Sequence, residues 1–207
     1  MKKKLISLMM ITLISYLCAV PAFASTYYTQ ADVDREVNTI NQQYQTEFEV
    51  TITGTVNESE YLEIIKNVET MAKEQAEIER IIDSLEFYSV GTILPTSASR
   101  ANPELNTIFK DSQIISQKVE SGGKTGTAYF KQSVYAIRDE DKKFIQVKDI
   151  STSGSGSYTS FIPSGSGKYA QLDGGLTLMT YQVGRLDFRN GEIEYGNNSW
   201  KVTAYWP

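Results

Sequence analysis

The side chains able to do chemistry are few, and their types narrow what the chain can do. It has no histidine and a single cysteine, Cys18. That combination removes a Ser-His-Asp triad, a Cys-His dyad, an imidazole zinc site and the ordinary histidine acid or base. Catalysis would have to rest on carboxylates, lysine, tyrosine or a serine-lysine pair. The carboxylates offer one arrangement of suitable separation: Glu192 and Glu194 alternate on one face of an expected strand, roughly 7 Å apart, with Asp187 across the preceding turn. Two carboxyl groups so placed share acid and nucleophile roles when burial raises the pKa of one. Nothing in the sequence signals such burial, and the plainer reading is a solvated strand face. Asp139, Glu140 and Asp141 cluster at a second expected turn, without the spacing or terminal glutamate of an EF-hand. The sequence therefore assigns no catalytic residue, no metal ligand and no cofactor, and it leaves the binding residues unknown.

Two glycine-rich stretches carry motif fragments. Within Ser121-Gly122-Gly123-Lys124-Thr125-Gly126-Thr127-Ala128, the Lys-Thr-Gly run resembles the strand motif of penicillin-binding proteins and serine β-lactamases. Ser121 and Lys124 also satisfy Ser-x-x-Lys, so the resemblance implies a serine nucleophile. That family sets its serine on a helix well upstream, with a separate Ser-x-Asn in between. Here the two motifs overlap, no Ser-x-Asn occurs, and the stretch reads as a glycine-rich hairpin entering a strand. Gly165-Ser166-Gly167-Lys168 resembles the end of a phosphate loop, with Ile162 where the first glycine belongs and Tyr169 in place of the magnesium-binding hydroxyl.

The element that must position any site is a long amphipathic helix over residues 57 to about 88. Tyr61, Ile64, Val68, Met71, Ile78, Ile82 and Leu85 follow a three-and-four spacing, interrupted only by Gln75. Asn57 and Glu60 form a capping box at its start. At about 1.5 Å per residue the rod is roughly 43 Å long, and its stripe is expected to cover one face of a sheet. A shorter helix runs from Thr29, with Asp32 three residues on, to about Tyr44. A strand follows over 46–55, and a loop over 88–103. Twelve of the 14 glycines lie between Gly122 and Gly196, among short alternating aromatic and β-branched runs. This is antiparallel β-sheet, with strands expected near 113–120, 125–138, 143–150, 158–162, 176–188, 192–195 and 200–206. Hairpin turns are expected at 121–124, 139–142 and, most strongly, a type I′ turn at Asn190-Gly191. The Ser/Gly-rich segment 151–175 is expected to be loop around one weak strand. The fold class is thus α+β, a helix, strand and long helix packed on a C-terminal antiparallel sheet or sandwich. Residues 25–207 are read as one domain: 25–90 mainly helical, 91–105 loop, 106–207 β.

Residues 1–24 read as a cleaved signal peptide, with Lys2, Lys3 and Lys4, an apolar stretch over 5–20, and Ala22-Phe23-Ala24 as cleavage site. Bulky Leu17 before Cys18 argues against a lipid-anchored cysteine. Removal of the leader leaves 17 basic against 25 acidic residues and no cysteine, so the exported chain forms no disulfide. Such export fits a Gram-positive origin. The acidic balance argues against nucleic acid, and no membrane span remains once the leader is gone. Thirteen aromatics lie between Tyr129 and Trp206, and tyrosines on a polar sheet can stack on sugars or anchor a protein. The leading expectation is an exported, non-enzymatic extracellular or cell-surface module that binds a glycan or protein. The second is a carboxylate-dependent secreted hydrolase of polysaccharide. The third is a pore-former whose 151–175 segment unfolds into a membrane hairpin.

Overall fold

The computed structural model describes residues 26–94, 103–121, 124–155 and 159–207, so the expected leader lies outside the described residues. Two helices, α1 (Gln30–Tyr44) and α2 (Glu58–Ser84), accompany eleven strands: β1 (Tyr27–Tyr28), β2 (Phe48–Thr51), β3 (Val56–Asn57), β4 (Tyr88–Ser89), β5 (Thr107–Ser121), β6 (Lys124–Arg138), β7 (Phe144–Ser155), β8 (Thr159–Pro163), β9 (Lys168–Leu172), β10 (Thr177–Asn190) and β11 (Ile193–Trp206). All pairing is antiparallel. The main sheet has the order β2-β11-β10-β9-β4, with β8 paired to the second half of β10, and a second sheet has the order β5-β6-β7. The fold is α+β with helices packed on antiparallel sheet.

Both helices begin as their sequences dictate. Glu60 N donates to Asn57 Oδ1 at 3.0 Å and Asn57 N donates to Glu60 Oε2 at 3.1 Å, the reciprocal capping box. At α1, Thr29 N donates to Asp32 Oδ2 at 3.0 Å. That backbone bond, more than Arg35 nearby, holds the Asp32 carboxyl below its usual range.

Helix α2 does not lie along one sheet face; it crosses an edge. Ile64, Val68, Met71 and Ala72 join a core with Phe48, Val50, Trp200 and Val202, whereas Ile82 packs with Met179 and Tyr181. Val202 pairs with Gln182 and Thr203 with Tyr181, so alternation sets Trp200 and Val202 on one face of the main sheet and Tyr181 and Met179 on the other. The crossing point is the polar break in the stripe. Gln75, 5% exposed, donates from Nε2 to Lys201 O at 3.3 Å and accepts from Lys201 N at 2.8 Å, pairing with the strand's free edge. Helix α1 does the same for β2. Asn41 bonds both Phe48 N and Phe48 O at 2.8 Å, while Gln30 bonds Val50 O at 2.6 Å and Ile52 N at 2.9 Å.

Between the sheets, Leu178, Ala204 and Trp206 meet Val134, Ala136, Phe144 and Val147. One polar chain runs through this core. Gln132, fully buried, donates to Thr152 Oγ1 at 3.0 Å and Val202 O at 3.1 Å and accepts from Thr180 Oγ1 at 2.6 Å. Thr180 Oγ1 in turn accepts from Trp206 Nε1 at 2.8 Å. At the rim, the Arg138 guanidinium lies 4.1 Å from both the Phe109 and Phe144 rings and donates to Pro207 O. Burial lowers its pKa.

Several elements differ from expectation. Residues 193–206 form one strand rather than two, because a register shift between Gly184 and Leu186 gives β11 an extra residue opposite them. Asn197 Oδ1 holds that bulge by accepting from Ser199 N at 2.9 Å. Segment 151–175 contributes the end of β7 and the strands β8 and β9, and Tyr169 and Ala170 of β9 are buried. In the expected loop, β4 pairs with β9, Gly91 N donates to Val147 O at 2.8 Å and Leu94 N to Ile145 O at 3.0 Å; residues 95–102 lie outside the described residues. No helix among the described residues is long and apolar enough to cross a membrane. Because the Gln132 amide serves three partners in a dry interior, Gln132→Leu is expected to lower the unfolding free energy by about 2–4 kcal/mol in urea titrations. The paired change Gln132→Leu with Thr180→Val should cost less than the sum of the single changes.

Candidate functional site

The carboxylates singled out from the sequence separate in the structure. Asn190 pairs with Ile193, so Gly191 and Glu192 are the two loop residues of the β10-β11 hairpin. Of these only Gly191 has positive φ (65°), the sign pattern of a type II′ rather than the expected type I′ turn. Glu192 therefore sits in the turn and shares no strand face with Glu194. Asp187 and Glu194 do come together, on the half of the main sheet's outer face that α2 leaves open. They line a groove of about 460 Å³ with Glu49, Thr51, Arg185 and Arg189. Arg185 Nε is 3.1 Å from each Asp187 oxygen, and Arg189 pairs with Glu194. These side chains are about half exposed, so the pairs sit in water rather than in a desolvated pocket. Glu49 was not legible as a site residue, because it reads as the polar face of an alternating strand. The register Glu49↔Gly196 and Gly196↔Asp187 brings it to the groove. A Cβ at Gly196 would lie 3.7 Å from both Asp187 Oδ1 and Glu49 Oε2, so these oxygens face each other across the glycine, no more than 7.4 Å apart.

The remaining candidates have structural employment. Asp139 is 5% exposed, and its Oδ1 accepts from Lys143 N at 2.9 Å, closing the hairpin between β6 and β7. Asp141 is 3.6 Å from Lys143 Nζ. Among the described residues no cluster of three acidic, histidine or cysteine side chains is placed to hold a metal ion. In the Lys-Thr-Gly run, Ser121 pairs with Lys124 across the expected hairpin, whose central Gly122 and Gly123 lie outside the described residues. Gly126 has a packing reason: a Cβ there would stand 2.7 Å from Asn190 Cγ, so the glycine admits the tip of the β10-β11 hairpin. Gly167 likewise lies against Ile150, and Gly165 O accepts from Gln182 Nε2 at 3.0 Å.

The other uncovered surface is the outer face of the second sheet. The register stacks its outward residues in rows across three strands: Lys110, Tyr135 and Asp149; Ser112, Ser133 and Ser151; Ile114, Lys131 and Ser153; Ser116, Tyr129 and Ser155. Ile114 is 69% exposed and Tyr129 44%. Lys110 Nζ lies 4.4 Å from the Tyr135 ring centroid, and Ser112 and Ser133 share a hydrogen bond of 2.8 Å. Alternation places Phe130, Gln132, Val134 and Ala136 of β6 on the inner face, so the same strand supplies both the core and the display. This face offers hydroxyls, ammonium groups and one accessible aromatic ring.

Gly126→Ala is expected to push Asn190 out of its seat and lower stability by about 1–3 kcal/mol, measured by thermal or urea unfolding. Glu194→Gln, in an exposed pair, should change stability by less than about 1 kcal/mol. No family model, no curated protein and no solved structure matches the chain.

Proposed function

We propose that this chain is an exported, non-enzymatic binding module that recognises a cell-surface glycan through the outer face of its second sheet. The observation that carries this reading is the rows of outward serines, lysines and Tyr129 on three long strands, with no described element packed over them. Hydroxyl and ammonium groups supply the donors and acceptors that sugar hydroxyls require, and a half-exposed tyrosine supplies a flat apolar surface for a sugar ring. The paired strands fix the spacing of these side chains in advance, so binding has only their rotamers left to order. The absence of histidine from the whole sequence, with Asp187 and Glu194 tied up by arginines, favours binding over turnover.

A second reading keeps the secreted polysaccharide hydrolase and moves its carboxylates to Glu49 and Asp187. It is supported by their placement on either side of Gly196, with oxygens no more than 7.4 Å apart, against roughly 5–9.5 Å between the paired carboxyl groups of glycosidases. Hydrolysis of wall polysaccharide that survives Glu49→Gln combined with Asp187→Asn would remove that pair as its source.

The binding reading is tested by co-sedimentation of residues 25–207 with cell-wall sacculi from the producing organism. Retention is expected, and Tyr129→Ala should weaken it roughly threefold to tenfold, as loss of one stacking contact does. Full recovery in the supernatant would overturn it.

A further inference from the structure

We infer that the ligand of this face is a linear polyanionic glycan lying along the strands. This inference rests on the second sheet's outer face being the binding surface. The acidic balance of the whole chain hides how its charge is distributed. Residues 26–94, which include both helices, carry four basic and fourteen acidic residues, whereas residues 103–155, which include all of the second sheet, carry eight basic and seven acidic. The net negative charge thus belongs to the helical layer. On the second sheet's outward rows the balance reverses. Lys110, Lys118 and Lys131 are exposed there, against two acidic residues at outward positions of the register, Asp149 on β7 and Glu120 near the end of β5. Lys110 and Lys131 form no ion pair among the described residues, while Lys73 on α2 pairs with Glu69 at 2.8 Å and Lys201 with Glu79 at 2.5 Å.

The three lysines are spaced for a polymer. Lys131 pairs with Ile114, midway between Lys110 and Lys118 on β5, so the three ammonium groups fall four residues apart along the strand direction. At about 3.3 Å per residue this is one cation every 13 Å or so, over a span of roughly 26 Å. The intervening rows hold Ser112, Ser133 and Ser151, then Ser116, Tyr129 and Ser155. Cation, hydroxyl and cation again is the complement of a chain in which anionic groups alternate with hydroxylated units. A monosaccharide would meet only one cation. A nucleic acid strand fits less well, because sequence-tolerant binding of single strands needs aromatic platforms at successive bases. Here Tyr129 is the one open ring, and Tyr135 is covered by Lys110.

The test measures binding of the mature chain to polygalacturonate, heparin and poly(glycerol phosphate), which carry carboxylate, sulfate and phosphodiester groups, beside uncharged dextran and oligodeoxythymidylate. At least one of these three hydroxylated polyanions is expected to bind, with affinity that falls as salt rises and grows with oligomer length. Which of the three binds best identifies the anionic group. The triple change Lys110→Gln, Lys118→Gln and Lys131→Gln should weaken that binding by roughly tenfold or more, whereas Lys66→Gln with Lys73→Gln on α2 should not. Unchanged melting of both variants checks that only the surface was altered. Dextran binding equal to that of the polyanions would overturn this inference and leave the binding face standing. Preference for oligodeoxythymidylate would assign the face to nucleic acid instead. Failure of all five probes, together with recovery of the chain in the supernatant of sacculi, would remove both.

Discussion

A strand edge placed under a helix has backbone N–H and C=O groups that water can no longer reach, and each must find a partner. The arrangement of this molecule depends on how that demand is met. Gln30, Asn41 and Gln75 each offer a carboxamide, which carries one donor side and one acceptor side like the peptide group of a missing neighbour strand. Through them α1 is pinned to β2 and α2 to β11. The pinning is directional, since a helix displaced by one residue would lose both bonds of an amide together. Apolar packing alone would hold the helices against the sheet without fixing where they sit. The same side-chain type recurs inside the sandwich, where Gln132 joins β6 to β7, β10 and β11 without placing a charge in the core.

Much of the fold was legible because period and punctuation agreed. The helix starts at Thr29 and Asn57, the alternation around Phe48, and the long strands β6 and β10 all followed from local pattern. What was missed was non-local. The break at Gln75 reads as a defect in an apolar stripe until Lys201, 126 positions away, supplies its partner. Strand β9 is five residues between glycines, and only its place beside β10 makes Tyr169 and Ala170 core. Asn197 to Ser199 resemble a turn, yet the cross-strand ladder absorbs them as a bulge. The candidate site divides in the same way. Asp187 and Glu194 were visible as chemistry, but Glu49 arrives through pairing of the earliest main-sheet strand with the last, and the serine and lysine rows exist only as a register.

Net charge was a poor guide to surface chemistry here. Charge that decides a partner is local, screened over about 10 Å at moderate salt, so a face that carries its own lysines answers first to those side chains. Segregating acidic residues on the helices and lysines on the sheet gives each surface its own sign, with like-charge repulsion within each layer, and the exposed lysines of β5 lie on an edge strand, where charge discourages edge-to-edge association.

The pairing of β2 with β11 has a further consequence, for the order in which the chain can fold. Glu49 and Asn198 are 149 positions apart, and the core beneath them combines residues of both helices with residues of β11. Local hairpins such as β5-β6 can form early, but the helical layer has no finished surface to dock on until the C-terminal strand is present. High contact order of this kind slows folding, because the closure entropy of the long loop is lost before the contacts it permits are made. A chain synthesised from its N-terminus would therefore stay open until β11 has been made.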